Sequence, residues 1–156
     1  MRKSKTLARL RAGKPVLMGN ISFGVNPAMV EMAGLIGFDT IWIDMEHRSF
    51  TWREIETMVM ASRLGDVDAM VRIRKQEGYA TFMRPLQEGA SGLMVPHVRS
   101  AAEAAQRVEF AKYPPVGRRG LETVMRDAKM GLGSNRDYIA HANNETFLAL
   151  QIEDVE

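Results

Sequence analysis

Cysteine is absent from the 156 residues. That excludes disulfides, thiolate metal sites and a cysteine nucleophile. No apolar run approaches the ~20 residues that a bilayer crossing requires. The basic start, Met1-Arg2-Lys3-Ser4-Lys5, is not followed by an apolar stretch of signal-peptide type. The expectation is a cytoplasmic protein with no membrane partner. An excess of one charge is also missing: 21 Lys and Arg stand against 19 Asp and Glu, for a net charge of +2. The basic residues are scattered, and Arg118-Arg119 is the only adjacent arginine pair. A nucleic-acid partner is therefore not expected. Phosphate-loop spacing is lacking too. Gly117 and Gly120 do not make a dinucleotide fingerprint, and no Walker pattern occurs. No internal repeat, low-complexity tract or linker divides the chain, so residues 1–156 read as one domain. With 46% apolar residues it has the means to build a core.

What is present is an alternation of strand-like and helix-like segments. The apolar runs are Pro15–Met18, Thr40–Ile43, Ala69–Ile73, Leu93–Val95 and Phe147–Ile152. Asn26-Pro27 is an N-cap followed by proline at the first helical position. Met29, Met32, Ala33 and Ile36 then recur at helical spacing, and Gly37 can end that helix. Thr51-Trp52-Arg53-Glu54 fits a capping box, with Trp52, Ile55 and Val59 on one face. A helix from about Tyr79 is interrupted near Pro85 and closes at Gly89. Ser100 to Glu103 is a second capping-box match, with Ala101, Ala104, Ala105 and Val108 inward. A proline-glycine loop spans Tyr113 to Gly120, and a last helix lies near Arg136 to Ala142. The twelve methionines read as core filling. The runs are apolar throughout, as expected for strands buried on both faces. The pattern predicts a parallel α/β sheet, either a barrel or an open doubly wound sheet.

The informative residues sit where the runs stop. Ile43-Asp44-Met45-Glu46-His47 places two acids and a histidine at a strand exit. Arg72 lies near the end of the third run, His97 follows the fourth, and Gln151 and Glu153 end the fifth. In a parallel barrel all these ends share one rim, where chemistry is done. Phe147, Ala149, Gln151 and Glu153 share one side of their strand, and Leu148, Leu150 and Ile152 share the other. Glu153 then either holds a ligand or metal, or pairs with an arginine such as Arg72. His47 is either a tuned base or a helix-capping histidine. Asp44 orients it or binds a metal-held water, and Glu46 is structural. Arg72 is either a salt-bridge partner or a fixed cation for a carboxylate or oxyanion. His97 is given a non-catalytic role.

Gly37-Phe38-Asp39-Thr40-Ile41-Trp42-Ile43-Asp44-Met45-Glu46-His47 resembles the signature of the HpcH/HpaI aldolases. Four further segments follow in the family's order: Val71-Arg72-Ile73, Glu88 to Pro96, Tyr113 to Gly120, and Gln151-Ile152-Glu153. The resemblance implies a (β/α)8 barrel, here cut to about its first five β/α units, and a hexamer or other homo-oligomer. It implies a carbon–carbon lyase joining or separating pyruvate and an aldehyde with the help of Mg2+ or Mn2+. Carried over by position, His47 resembles the general base and Arg72 the arginine that steadies the pyruvate enolate. Gln151 resembles a pyruvate contact, Glu153 the first metal carboxylate, and Asp44 the acid beside the metal-bound water. The family's second metal aspartate has no counterpart here, so the chain by itself is expected to be inactive in aldol cleavage. A tryptophan common on the family's first strand is replaced near Ile21. Two alternatives stand beside this reading: a non-catalytic barrel fragment that oligomerises, and a citrate-lyase-like acyl-CoA lyase.

Overall fold

The computed structural model describes residues 2–75 and 78–154. Five parallel strands alternate with helices: α1 (Lys5–Arg11), β1 (Met18–Ile21), α2 (Pro27–Leu35), β2 (Thr40–Asp44), α3 (Trp52–Leu64), β3 (Asp68–Arg72), α4 (Ala80–Glu88), β4 (Gly92–Val95), α5 (Ala101–Ala111), α6 (Asn135–Glu145) and β5 (Phe147–Leu150). The sheet order is β1-β2-β3-β4-β5. Each crossover therefore moves one strand further in the same direction. A doubly wound sheet needs a reversal of strand order; a barrel wall does not. The topology is that of a barrel wall.

The core lies between the sheet and its helices. Ile41, Ile43, Val71 and Leu93 are fully buried, with Ile55, Met58 and Val59 of α3 packed on them. Leu148 and Leu150 reach the same core, in keeping with the parity of β5. Several helix boundaries follow from local chemistry. Asn26 caps α2 with Pro27 in its first turn, and Thr51 and Glu54 cap one another at α3. Gly89 closes α4 in the left-handed region, at φ 105°.

Five sequence expectations need correction. The first strand is Met18–Ile21, not Pro15–Met18. Its register is set by pairing, with Met18 opposite Thr40 and the Leu17 carbonyl accepting from Asp39 and Thr40, not by apolarity. On α2, Met29, Met32 and Ile36 are 49%, 51% and 67% exposed, and Val30 is the buried residue. The helix phase is fixed by close approach to α3: a Cβ on Gly34 would lie 1.9 Å from the Gly65 carbonyl oxygen. Several methionines, among them Met18, Met60 and Met130, are likewise exposed rather than core. On α5, Ala101 and Ala105 face solvent, and Glu103 accepts from the Arg99 N–H rather than from that of the N-cap Ser100. Pro85 sits inside α4 without ending it.

α1 and its anchor at the N-terminal end of the sheet went unread in the sequence. Asp68 is fully buried. It accepts from the Ser4 hydroxyl at 2.6 Å, the Thr6 N–H at 2.9 Å and the Ser91 hydroxyl at 2.9 Å. Asp68→Ala strands these donors and is expected to cost about 3 kcal/mol. Hydrogen exchange should show α1 losing protection before the strands do. Unchanged protection of α1 would contradict this account of its anchoring.

Candidate active site

At the C-terminal end of the sheet, parallel register places Asp44 directly beside Arg72. Arg72 Nε donates to Asp44 Oδ1 at 2.9 Å, and its Nη2 donates to Oδ2 at 2.7 Å. This is a bidentate fork, the geometry in which arginine holds a carboxylate best. Both residues are buried, at 4% and 7% exposure. Beneath the guanidinium lies the Trp42 ring, 4.8 Å from its carbon. Trp42 and Asp44 sit two residues apart on β2 and share a face, a parity legible in the sequence. Nη1 of Arg72 lies 3.2 Å from Glu46 Oε2. Of the five N–H donors of Arg72, two are committed to Asp44; Nη1 stands within ion-pair range of Glu46, whose Oε2 accepts no hydrogen bond.

The same Asp44 Oδ1 accepts the backbone N–H groups of Glu46 and His47, at 3.0 and 3.2 Å. Burial alone would raise the Asp44 carboxyl. The hydrogen bonds from Arg72 and from the His47 N–H outweigh it and hold the carboxyl below the usual aspartate range. Arg72 is raised in turn, chiefly by its hydrogen bonds to Asp44. Asp44 thus fixes Arg72 and the turn that carries His47. It makes no bond to the imidazole.

His47 projects outward, with its side chain 64% exposed. It borders a cleft of about 640 Å³ formed by the Met45–Trp52 turn and Arg74. The carboxylate nearest its ring is Glu46, with Oε2 3.8 Å from Nε2. Glu46 also approaches the His97 ring, Oε1 to Nε2 at 3.6 Å. The acid read as structural therefore joins Arg72 to both histidines. Its neighbour spacing in sequence gave no sign of this, because His97 reaches it from β4.

His97 occupies the left-handed region at φ 54°, uncommon for a residue other than glycine though histidine is among those that adopt it. Its N–H donates to Glu153 Oε1 at 3.2 Å, and its ring Nδ1 lies 3.2 Å from Asp154 Oδ1. Glu153 is therefore not the salt-bridge partner of Arg72, the alternative weighed above; Arg72 pairs with Asp44 and Glu46. Gln151 stands two residues before Glu153, and its Oε1 is buried with no hydrogen-bond partner.

Hard oxygen donors of this kind suit a magnesium or manganese ion. Glu153 fits as part of such a set. It does not complete one: among the described residues no three His, Cys, Asp or Glu side chains converge as metal ligands. The arrangement as it stands holds a rigid cation, with N–H groups beyond those given to Asp44, near an imidazole open to solvent.

Residues 21–156 match the family described as HpcH/HpaI aldolase/citrate lyase. A 4-hydroxy-4-methyl-2-oxoglutarate aldolase of Chaetomium globosum is 29% identical over 118 residues, which cover 76% of this chain and 44% of that protein. A hydroxypyruvate/pyruvate aldolase of Paraburkholderia phytofirmans is 32% identical over 152 residues, covering 94% of this chain and 57% of its own. The crystal structure of an HpcH/HpaI aldolase from Desulfitobacterium hafniense matches at a TM-score of 0.86 and 34% identity, over 96% of this chain and 57% of that one. The chain spans about half the length of the curated relatives it matches.

Proposed function

The chain belongs to the HpcH/HpaI aldolase/citrate lyase family, and from that premise we propose that its strand-end cluster serves carbon–carbon bond formation or cleavage between pyruvate and an aldehyde. One observation carries the reading: Arg72 is locked by its fork to Asp44, stands beside Glu46, and keeps N–H groups that Asp44 does not take. A guanidinium fixed in this way stabilises a developing oxyanion without having to reorganise. His47, exposed beside it, removes or returns the proton at the pyruvate methyl carbon, a proton transfer for which enzymes most often use an imidazole. Asp44 keeps both groups in place. Gln151 contacts the bound keto acid.

A divalent ion, held in part by Glu153, would act as a Lewis acid on the ketone and so make the methyl proton acidic enough for an imidazole. The same reading treats residues 1–156 as one domain forming a portion of a (β/α)8 barrel. It also places the protein in the cytoplasm, as a homo-oligomer that the exposed apolar face of α2 would serve.

The reading is tested by titrating the isotope-labelled chain with pyruvate and magnesium, with lactate as control. Pyruvate is expected to move the Arg72 Nε–H and His47 ring resonances. Lactate, which has no ketone to bind, should do so at about tenfold higher concentration. Equal responses to the two acids, or none to pyruvate at tens of millimolar, would overturn it.

A further inference from the structure

The two adjacent arginines of the Tyr113–Gly120 loop have opposite surroundings. Arg118 is exposed and pairs with Glu109 at 3.4 Å. Arg119 is 2% exposed, and its Nε, Nη1 and Nη2 are all buried without a hydrogen-bond partner. The backbone holds it there: its N–H donates to the Lys112 carbonyl at 2.8 Å, and the Gly120 N–H donates to the Tyr79 hydroxyl. The guanidinium carbon stands 4.5 Å over the Tyr113 ring. That face attracts the charge but gives the planar fork of N–H groups no lone pair. Tyr113 and Tyr138 are buried, with their hydroxyls 3.2 Å apart. Burial pushes both phenols up, so each keeps its proton. Asp127, which adds to that rise, is turned toward Arg63, 3.6 Å away. Lys112 brings a second positive charge and gives its ammonium to neutral oxygens, those of Asn143 and Thr146. An unpaired buried charge is costly, and a buried polar group without a partner is uncommon. Positive charge here lacks an answer.

We propose that Arg119 holds a small monovalent anion of the halide type beneath the Tyr113–Gly120 loop. The surroundings select that class. A water would bring acceptors but no charge. A bulky anion would have to part the loop from the end of α5, where a Cβ on Gly117 would lie 2.4 Å from the Lys112 carbonyl oxygen. A doubly charged anion would lose more hydration on entering so closed a place. The phenols add a donor, because one proton bridges the pair and the other O–H stays free to donate. This connection returns the chain to the start of β5, at the end of the sheet opposite the strand-end cluster. The ion therefore has no part in the proton transfer. It fastens the loop and α6 to the second core, formed by Tyr113, Met125, Ala128, Tyr138 and Ala142.

The test follows thermal unfolding of the 156-residue chain in sodium bromide and in sodium gluconate at equal ionic strength, which removes screening as a cause. Bromide is expected to raise Tm saturably, by about 3–6 °C at ten times its Kd. Gluconate, too bulky to enter, should not. The Arg119 Nε–H resonance should move with the same midpoint as the Tm. Lys112 is lowered to about 8 by burial first and then by the charge of Arg119. An anion on Arg119 cancels that second cause, so Lys112 should titrate higher in bromide than in gluconate. Arg119→Met should abolish the bromide response. A bromide-soaked crystal of the wild-type chain guards against misfolding of that variant, and its anomalous peak should lie within about 3.5 Å of the guanidinium. Equal Tm changes in the two salts, a bromide response that survives in Arg119→Met, or a crystal with no bromide at Arg119 overturns the proposal.

Discussion

Arg72→Met is expected to weaken pyruvate binding by about a hundredfold. The change removes the group that joins Asp44, Glu46 and the proposed oxyanion position. Truncating one partner of a buried charge pair costs about 2–5 kcal/mol in binding systems, and the lower half of that range already gives a hundredfold. Stability should fall as well. Asp44 and Glu46 would be left as neighbouring acids, 4% exposed for Asp44 and 14% for the Glu46 side chain, with no cation between them. An unpaired buried charge of this kind costs about 3–5 kcal/mol. Arg72→Lys separates the two effects. It keeps the charge, so it should recover part of the stability. It lacks the planar fork, so the hydrogen bonds to both Asp44 oxygens cannot re-form together, and most of the binding should stay lost. Isothermal titration with pyruvate and urea unfolding measure the two quantities. A lysine variant that binds as well as the wild type would show that charge alone is enough.

Asp44→Ala is expected to cost about 4 kcal/mol of stability. Four hydrogen bonds disappear at once: the two of the Arg72 fork and the caps on the Glu46 and His47 N–H groups. Glu46 remains near Arg72, which keeps the loss at a survivable level. The variant should also change how stability depends on pH. The Asp44 carboxyl is held below its ordinary value in the folded protein. Its contribution is therefore fully present above the unfolded value of about 3.9, and it is lost as pH falls through the lower folded value. Wild type should lose stability faster than Asp44→Ala in that acid window, and the two curves should run parallel at neutral pH. A variant with the same acid slope as wild type would place the carboxyl's partner elsewhere.

Much of this site could be read from the chain. Asp44, Arg72 and Gln151 stand where apolar runs end, and strand ends of a parallel sheet must converge on one rim. Caps such as Thr51-Glu54 are local and short, so their signals survive in the sequence. What stayed hidden depends on distant partners. The phase of α2 is set by Gly34 meeting Gly65, and no periodicity within α2 encodes that contact. Asp68 lies just before the run read as Ala69–Ile73 and drew no notice; its weight comes from Ser4, Thr6 and Ser91, which lie far from it in sequence. Glu46 looked structural because its second partner, His97, arrives from another strand.

The central claim is that His47 moves the methyl proton of pyruvate while Arg72 steadies the enolate. The most direct measurement is exchange of the pyruvate methyl protons for deuterium in D2O, followed by proton NMR with the chain and magnesium present. This half-reaction asks less than aldol cleavage: it needs no aldehyde, and magnesium in excess in solution would supply the Lewis acid to pyruvate without a complete set of protein ligands. His47 is exposed, so His47→Ala should fold with stability within about 0.5 kcal/mol of wild type. The account predicts exchange above the buffer rate in the wild-type chain and a loss of about a hundredfold in His47→Ala. Equal exchange by the two proteins, or none above buffer in the wild type, would contradict it.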